Sequence, residues 1–160
     1  MADVVRQAGP DEVDLVAPLF DAYRQFYQQP SDVALARTFL AERLARAESV
    51  VFLAERGGRA VGFVQLYPLF SSTTARPRRL WLLNDLFVAP EARGLKIGGL
   101  LLEALEAAAQ SEGVRVIRLE TGVRQPESLA LYRRQGYTER GPFGAYQRDP
   151  LSTFFEKWIG

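Results

Sequence analysis

"LWLLNDLFVAPEARGLKIGG", residues 80–99, carries an apolar run through a glycine-bearing corner into "LLLEALEAAAQ", residues 100–110. Residues 80–88 have the near-continuous apolar character of a central strand buried on both faces. Only Asn84-Asp85 breaks it. The alanine- and leucine-rich stretch 97–111 predicts a helix that stops near Gly113. At the start of such a helix the first N–H groups lack intrahelical acceptors, and the helix dipole adds positive potential, so the corner has the form of an anion site. Lys96 stands where a phosphate-hugging loop more often has glycine. A backbone N–H serves whatever the side chain, provided that side chain points away and φ stays negative. The Lys96 ammonium then either idles in solvent or swings toward the anion.

Working outward, "DVVRQA" (3–8) alternates as a first strand. Pro10, Asp11 and Glu12 suit a helix start, and Val13, Val16, Leu19, Phe20, Tyr23 and Phe26 recur at helical spacing. After "QQPSD", Ser31 can cap a second helix that puts Leu35, Phe39, Leu40 and Leu44 on one face. "SVVFLAERGGRAVGFVQLYPLF" reads as a hairpin turning at Gly57-Gly58, and "SSTTARPRR" as a polar, basic loop. Beyond the central helix, "VRVIRLE" (114–120) is a strand. Pro126 and Glu127 open a short helix ending at Gly136, and "YTER" and "LSTFFEKWI" are strands. The order is β-α-α-β-β-β-α-β-α-β-β. It predicts one α/β domain over residues 1–160, a mixed sheet of about seven strands with helices on both faces and a right-handed β-α-β crossover at its centre.

Composition narrows the chemistry. The chain has no cysteine and no histidine, which excludes disulfides, a thiolate nucleophile, the Ser-His-Asp triad and Cys- or His-rich metal sites. Carboxylates, tyrosine, lysine, backbone donors or a bound co-substrate must do the work, and no metal is expected. A net charge of +1 demands neither nucleic acid nor an anionic membrane as partner. No apolar run approaches the ~20 residues of a membrane span. The N-terminus lacks the basic start and apolar core of a signal peptide, so a cytoplasmic location is the expectation.

Arg93-Gly94-Leu95-Lys96-Ile97-Gly98, after "DLFVAPEA", resembles the acetyl-CoA signature of the Gcn5-related N-acetyltransferases (the GNAT family), Arg/Gln-x-x-Gly-x-Gly/Ala. "SLALYRRQGY" resembles the family's second motif, a helical tyrosine followed by glycine and an aromatic residue. The strand "LNDLFV" and the basic loop before it also stand where the family has them. The resemblance implies splayed central parallel strands with acetyl-CoA between them as co-substrate. Backbone groups of Leu86, Phe87 and Val88 would hold its pantetheine, and Arg93 with the amides of Gly94, Leu95, Lys96, Ile97, Gly98 and Gly99 its pyrophosphate. Glycine would let that pyrophosphate approach the backbone.

Tyr132 is the tyrosine of the second motif, which in relatives sits by the thioester sulfur. A phenol with a reference pKa of ~10 can protonate a departing thiolate of ~8.5; the plainer reading of Tyr132 is helix packing, and that of Tyr137 is packing as well. Asp85 is costly to bury unpartnered. It either meets a cationic amine, as its binding group or base, or bonds nearby backbone or an arginine of "RPRR". Asn84 joins it on the substrate side, and Glu120, ending the next strand, is the rival base or an ordinary strand-end carboxylate. The Val88 N–H is a candidate oxyanion donor. Tyr23, Tyr27 and Tyr67 can line an acceptor pocket, although helix packing explains the first two equally.

The expected activity is direct acetyl transfer in a ternary complex to a primary amine of a small molecule, diamine- or polyamine-like or amino-acid-like. "LYPLFSS" and "LNDLFV" resemble the diamine and polyamine branch. The alternatives are a CoA-binding sensor without catalysis and a protein or peptide N-acetyltransferase. Gln125 replaces the second motif's asparagine, which puts a helix cap in doubt. Edge strands near the C-terminus could pair two copies, and a homodimer is the expectation.

Overall fold

A computed structural model describes residues 3–71, 78–122, 126–143 and 151–159. Gln125 and most of the basic loop, residues 72–77, lie outside the described residues. Strand β1 (Asp3–Gln7) leads through a 3-10 turn to helices α1 (Val13–Phe26) and α2 (Val33–Ala45). Strands β2 (Val50–Arg56), β3 (Arg59–Ser71) and β4 (Arg78–Val88) follow. After helix α3 (Ile97–Ser111) come β5 (Val116–Gly122), α4 (Pro126–Arg134), β6 (Thr138–Arg140) and β7 (Ser152–Trp158). Among the described residues the strands form one seven-stranded sheet in the order β1-β2-β3-β4-β5-β7-β6.

Element order and fold class match the expectation from sequence. Gly57 and Gly58, with φ of 57° and 76°, turn the β2–β3 hairpin between the paired Arg56 and Arg59, as two left-handed residues require. The fifth strand begins two residues later than the sequence suggests, because Val114 is taken up by the cap of α3: its N–H donates to Ala109 O at 2.9 Å.

The sheet divides two cores. On one face Phe52, Val64, Leu66, Trp81 and Leu83 meet Leu101, Leu102 and Leu105 of α3 and Tyr132 of α4. On the other, Val51, Leu53, Phe63 and Phe87 meet Val13, Val16 and Phe20 of α1 and Leu40 of α2. Each fully buried leucine among these contributes about 1.5–3 kcal/mol.

The second helix is not capped by Ser31. Asp32 is its N-cap and accepts from the Leu35 N–H at 3.0 Å. Ser31 instead donates its hydroxyl to Asp21, at 2.7 Å. The reason is that Asp21 is a buried carboxylate in α1, and burial raises its pKa. The Asp32 N–H and the Ser31 hydroxyl, with Arg24 beside them, bring it below the ordinary value. Gln25 also donates to it, at 3.0 Å. This cluster fastens the α1–α2 connection against α1.

Candidate active site

The parallel ladder between β4 and β5 runs only from Leu80↔Val116 to Leu83↔Leu119. Beyond it β4 pairs with β3 alone, and residues 120–122 of β5 pair with β7 alone. The two central strands therefore part at Asn84. The register turns on one residue: Gln65 faces Asp85 while Leu66 faces Leu83, so Asn84 is the extra residue of a β-bulge. Before the bulge, Trp81 and Leu83 point toward α3; after it, Leu86 and Val88 take that side and Phe87 the α1 side. One inserted residue reverses the alternation and aims Asp85 toward α1.

There Asp85 forms part of the wall of a cavity of about 420 Å³, together with Tyr23, Tyr27, Tyr67 and Asn84. Asp85 is only 4% exposed. It accepts from Gln65 Nε2 at 2.6 Å and Asn84 Nδ2 at 3.1 Å, and the Tyr23 phenol is within hydrogen-bonding reach. Burial pushes its pKa up, and these donors only partly offset it. Gln65, fully buried, is oriented by the Ser49 hydroxyl, which donates to its Oε1 at 2.5 Å. Sequence reasoning missed Gln65 and Ser49. Gln65 left a signal as the lone polar side chain of "VGFVQLY"; Ser49 left none.

Tyr132 lies on the other side of the opening, 4% exposed. Burial and then the nearby Tyr27 hydroxyl raise its pKa, so the phenol stays protonated. What holds Tyr132 is a helix cap. Gly136, at φ 87°, donates its N–H to Arg133 O at 3.1 Å, and Tyr137 donates to Tyr132 O at 3.0 Å. This is a Schellman motif, with its accompanying apolar contact: the Tyr132 and Tyr137 rings meet edge-on at 5.7 Å. The spacing of tyrosine, glycine and aromatic residue is therefore the grammar of a C-terminal cap, and Tyr137 packs as expected.

The loop before α3 carries the anion-site geometry. Among the described residues, no N–H from Gly94 to Gly99 donates to a backbone or side-chain acceptor of the protein. Lys96 departs from the condition placed on it. Its φ is +64°, left-handed, and it is the N-cap of α3, which explains why glycine is more usual there. Gly98 and Gly99 have a packing use as well. A Cβ on Gly98 would lie 2.9 Å from Leu131 Cδ2, and one on Gly99 3.1 Å from Gln135 Nε2. They make room for α4, the Tyr132 helix.

Arg93 folds back on β4, donating Nε to Val88 O at 3.1 Å, with its guanidinium 5.7 Å from the centre of the Phe87 ring. The Ala89 N–H bonds Val61 O. Antiparallel alternation then turns the backbone of Phe87 toward its partner Phe63 and leaves the backbones of Leu86 and Val88 facing the opening. Phe87 thus does not offer the free amide expected of it. Glu120 is half-buried on β5 opposite Phe154 and is not part of the cavity wall.

A parting pair of parallel strands beside a glycine loop with free amides is the arrangement the motifs implied, and the comparisons agree. A model of the acetyltransferase (GNAT) family matches residues 16–137. The chain belongs to the GNAT family of acetyltransferases. YhfO, an uncharacterized N-acetyltransferase of Bacillus subtilis strain 168, is 42% identical over 142 residues, covering 89% of this chain and 94% of YhfO. The crystal structure of a probable acetyltransferase has a TM-score of 0.80 at 38% identity, covering 91% of this chain and 97% of that one. The PaiA N-acetyltransferase of Thermoplasma acidophilum, solved in complex with coenzyme A, shares the fold at a TM-score of 0.74 and 16% identity, covering 99% of each chain. This GNAT protein is accordingly an acetyl-CoA-dependent acetyltransferase. Among its described residues no helix is long and apolar enough to cross a membrane, and no cluster of acidic side chains could hold a metal ion.

Proposed function

We propose that this acetyltransferase moves the acetyl group of acetyl-CoA directly onto the primary amine of a small molecule, diamine-like or amino-acid-like, in a ternary complex. The observation that carries the reading is the bulge at Asn84, which turns the buried Asp85 carboxylate into a cavity beside the point where β4 and β5 part. The chain contains no cysteine, so a cysteinyl intermediate has no nucleophile to form on.

The unpaired amides from Gly94 to Gly99 fit a pyrophosphate, and the open backbone edge at Leu86 and Val88 fits a pantetheine added like a strand. Asp85 receives the ammonium of the acceptor and accepts one of its protons, a role suited to a carboxylate whose pKa is raised. The neutral nitrogen lone pair then attacks the thioester carbonyl carbon. The Val88 N–H donates to the oxygen as it becomes an oxyanion. Breakage of the C–S bond leaves a thiolate, to which Tyr132 gives its phenolic proton; the second proton that the nitrogen loses as it becomes an amide restores the phenol, leaving amide and thiol. Glu120 takes no part in this scheme. Tyr132→Phe and Asp85→Asn, assayed by thiol release, test it: acetyl-CoA binding persists while turnover falls. Full turnover by Tyr132→Phe on every accepted amine removes the acid assignment.

A further inference from the structure

From the charge content of the acceptor cavity we infer that the preferred substrate is a monoamine with a flat apolar body and one anionic group, read by Arg24. The inference rests on the proposed transfer to an amine in this cavity. Phe20, Phe39, Leu35, Tyr23 and Tyr67 give the wall its apolar, aromatic character. A cavity of about 420 Å³ is of small-molecule size. Among the described residues its ionisable lining is one carboxylate, Asp85, one guanidinium, Arg24, and three phenols.

Arg24 comes from the last turn of α1, and its side chain is 16% exposed. One amino group, Nη1, bonds Asp21 Oδ1 at 3.2 Å and Pro30 O at 3.3 Å. Among the described residues, neither Nε nor Nη2 has an acceptor. Asp21 cannot supply one more readily, because it already takes donors from Gln25, Ser31 and the Asp32 amide. A held guanidinium with two spare N–H directions is suited to a carboxylate or similar anion. A diamine or polyamine would be badly served. After Asp85 takes one ammonium, the wall offers the second a cation, and like charges brought together select against a ligand. The cavity is therefore dipolar, with the anion on the sheet and the cation on the helix.

Three acceptors test this with acetyl-CoA in a thiol-release assay: 4-(aminomethyl)benzoate, benzylamine and 1,4-diaminobutane. The carboxylated amine is expected to exceed benzylamine in kcat/KM by about tenfold or more, the worth of one charge-assisted hydrogen bond, with the diamine last. Arg24→Gln brings the first ratio close to one, and Arg24→Lys restores part of it. Melting curves of both variants check that the fold persists. Preference for the diamine, or a ratio unmoved in a folded Arg24→Gln protein, overturns the inference while leaving amine transfer intact. If no amine is acetylated, binding of the same amines to the protein with CoA separates the readings. Arg24-dependent binding of the carboxylated amine upholds the inference and sinks the transfer reading. Without such binding the inference fails too.

Discussion

Replacing Gly98 by alanine discriminates between two uses of that glycine. The new methyl carbon would lie 2.9 Å from Leu131 Cδ2, against 3.4–4 Å for ordinary contact, so the α4 side must yield by at least ~0.5 Å. Overpacking of this kind costs about 1–3 kcal/mol, at the lower end here because Leu131 is half-buried and its terminus can turn. Alanine returns up to about 1 kcal/mol through helix propensity. The net loss in the natural background is therefore about 0–2 kcal/mol. In a Leu131→Ala background the obstruction is gone, and the same change becomes stabilising by about 0.5–1 kcal/mol. Urea denaturation of the four proteins closes the cycle. In the natural background kcat falls about tenfold, since Leu131 adjoins Tyr132 and small misplacements are costly, while KM for acetyl-CoA is nearly unchanged. Equal effects in both backgrounds, or a raised KM with unchanged kcat, would refute the packing role and return Gly98 to the phosphates.

Tyr132→Phe is expected to lower kcat by about 10²–10⁴, the usual worth of a positioned acid, with acetyl-CoA affinity by equilibrium binding held constant. Because the pKa of Asp85 is raised by burial, kcat/KM falls as pH drops through a value above the ordinary ~3.9 of aspartate, and this limb disappears in Asp85→Asn. The same carboxyl favours folding when protonated. Its contribution is full at low pH and lost as pH rises through its folded-state pKa, so Asp85→Asn should raise Tm relative to the natural protein at pH 8 but not at pH 4. Ala47 and Lys96 have φ of 53° and 64°; replacing either with glycine relieves ~1–2 kcal/mol of left-handed strain against about 0.5–1 of extra unfolded-chain entropy. A gain of about 0–1.5 kcal/mol in urea midpoint analysis is expected for each.

The architecture was legible because its signals are local and repeat. Apolar periodicity gave the helices, Gly57-Gly58 the hairpin, and Gly113 and Gly136 the stops of α3 and α4. At the site, residue type identified Asp85 and Tyr132, since a carboxylate in an apolar strand and a tyrosine ahead of a capping glycine stand out. The backbone state of Lys96 was not legible, because φ depends on how the loop joins β4 to α3. Gln65 and Ser49 escaped because their use depends on cross-strand register. Asp21 escaped for a different reason: its partners are 10 and 11 residues away in a connection whose path no periodicity describes. Ser31 was assigned the nearer helix end when the buried carboxylate had the stronger claim on it.

The extra residue in β4 matters by number more than by kind. Any side chain at position 84 keeps two residues opposite Gln65, and Asp85 continues to face α1. If the same residues paired without the bulge, regular alternation from Leu83 would swing the carboxylate round to the α3 core and bring Leu86 into the acceptor wall. Loops around the sheet can lengthen or shorten without such a reversal. A strand one residue shorter between Trp81 and Phe87 would present Asp85 and Phe87 to the same faces on a regular ladder, so in divergent relatives residue count and bulge are expected to change together.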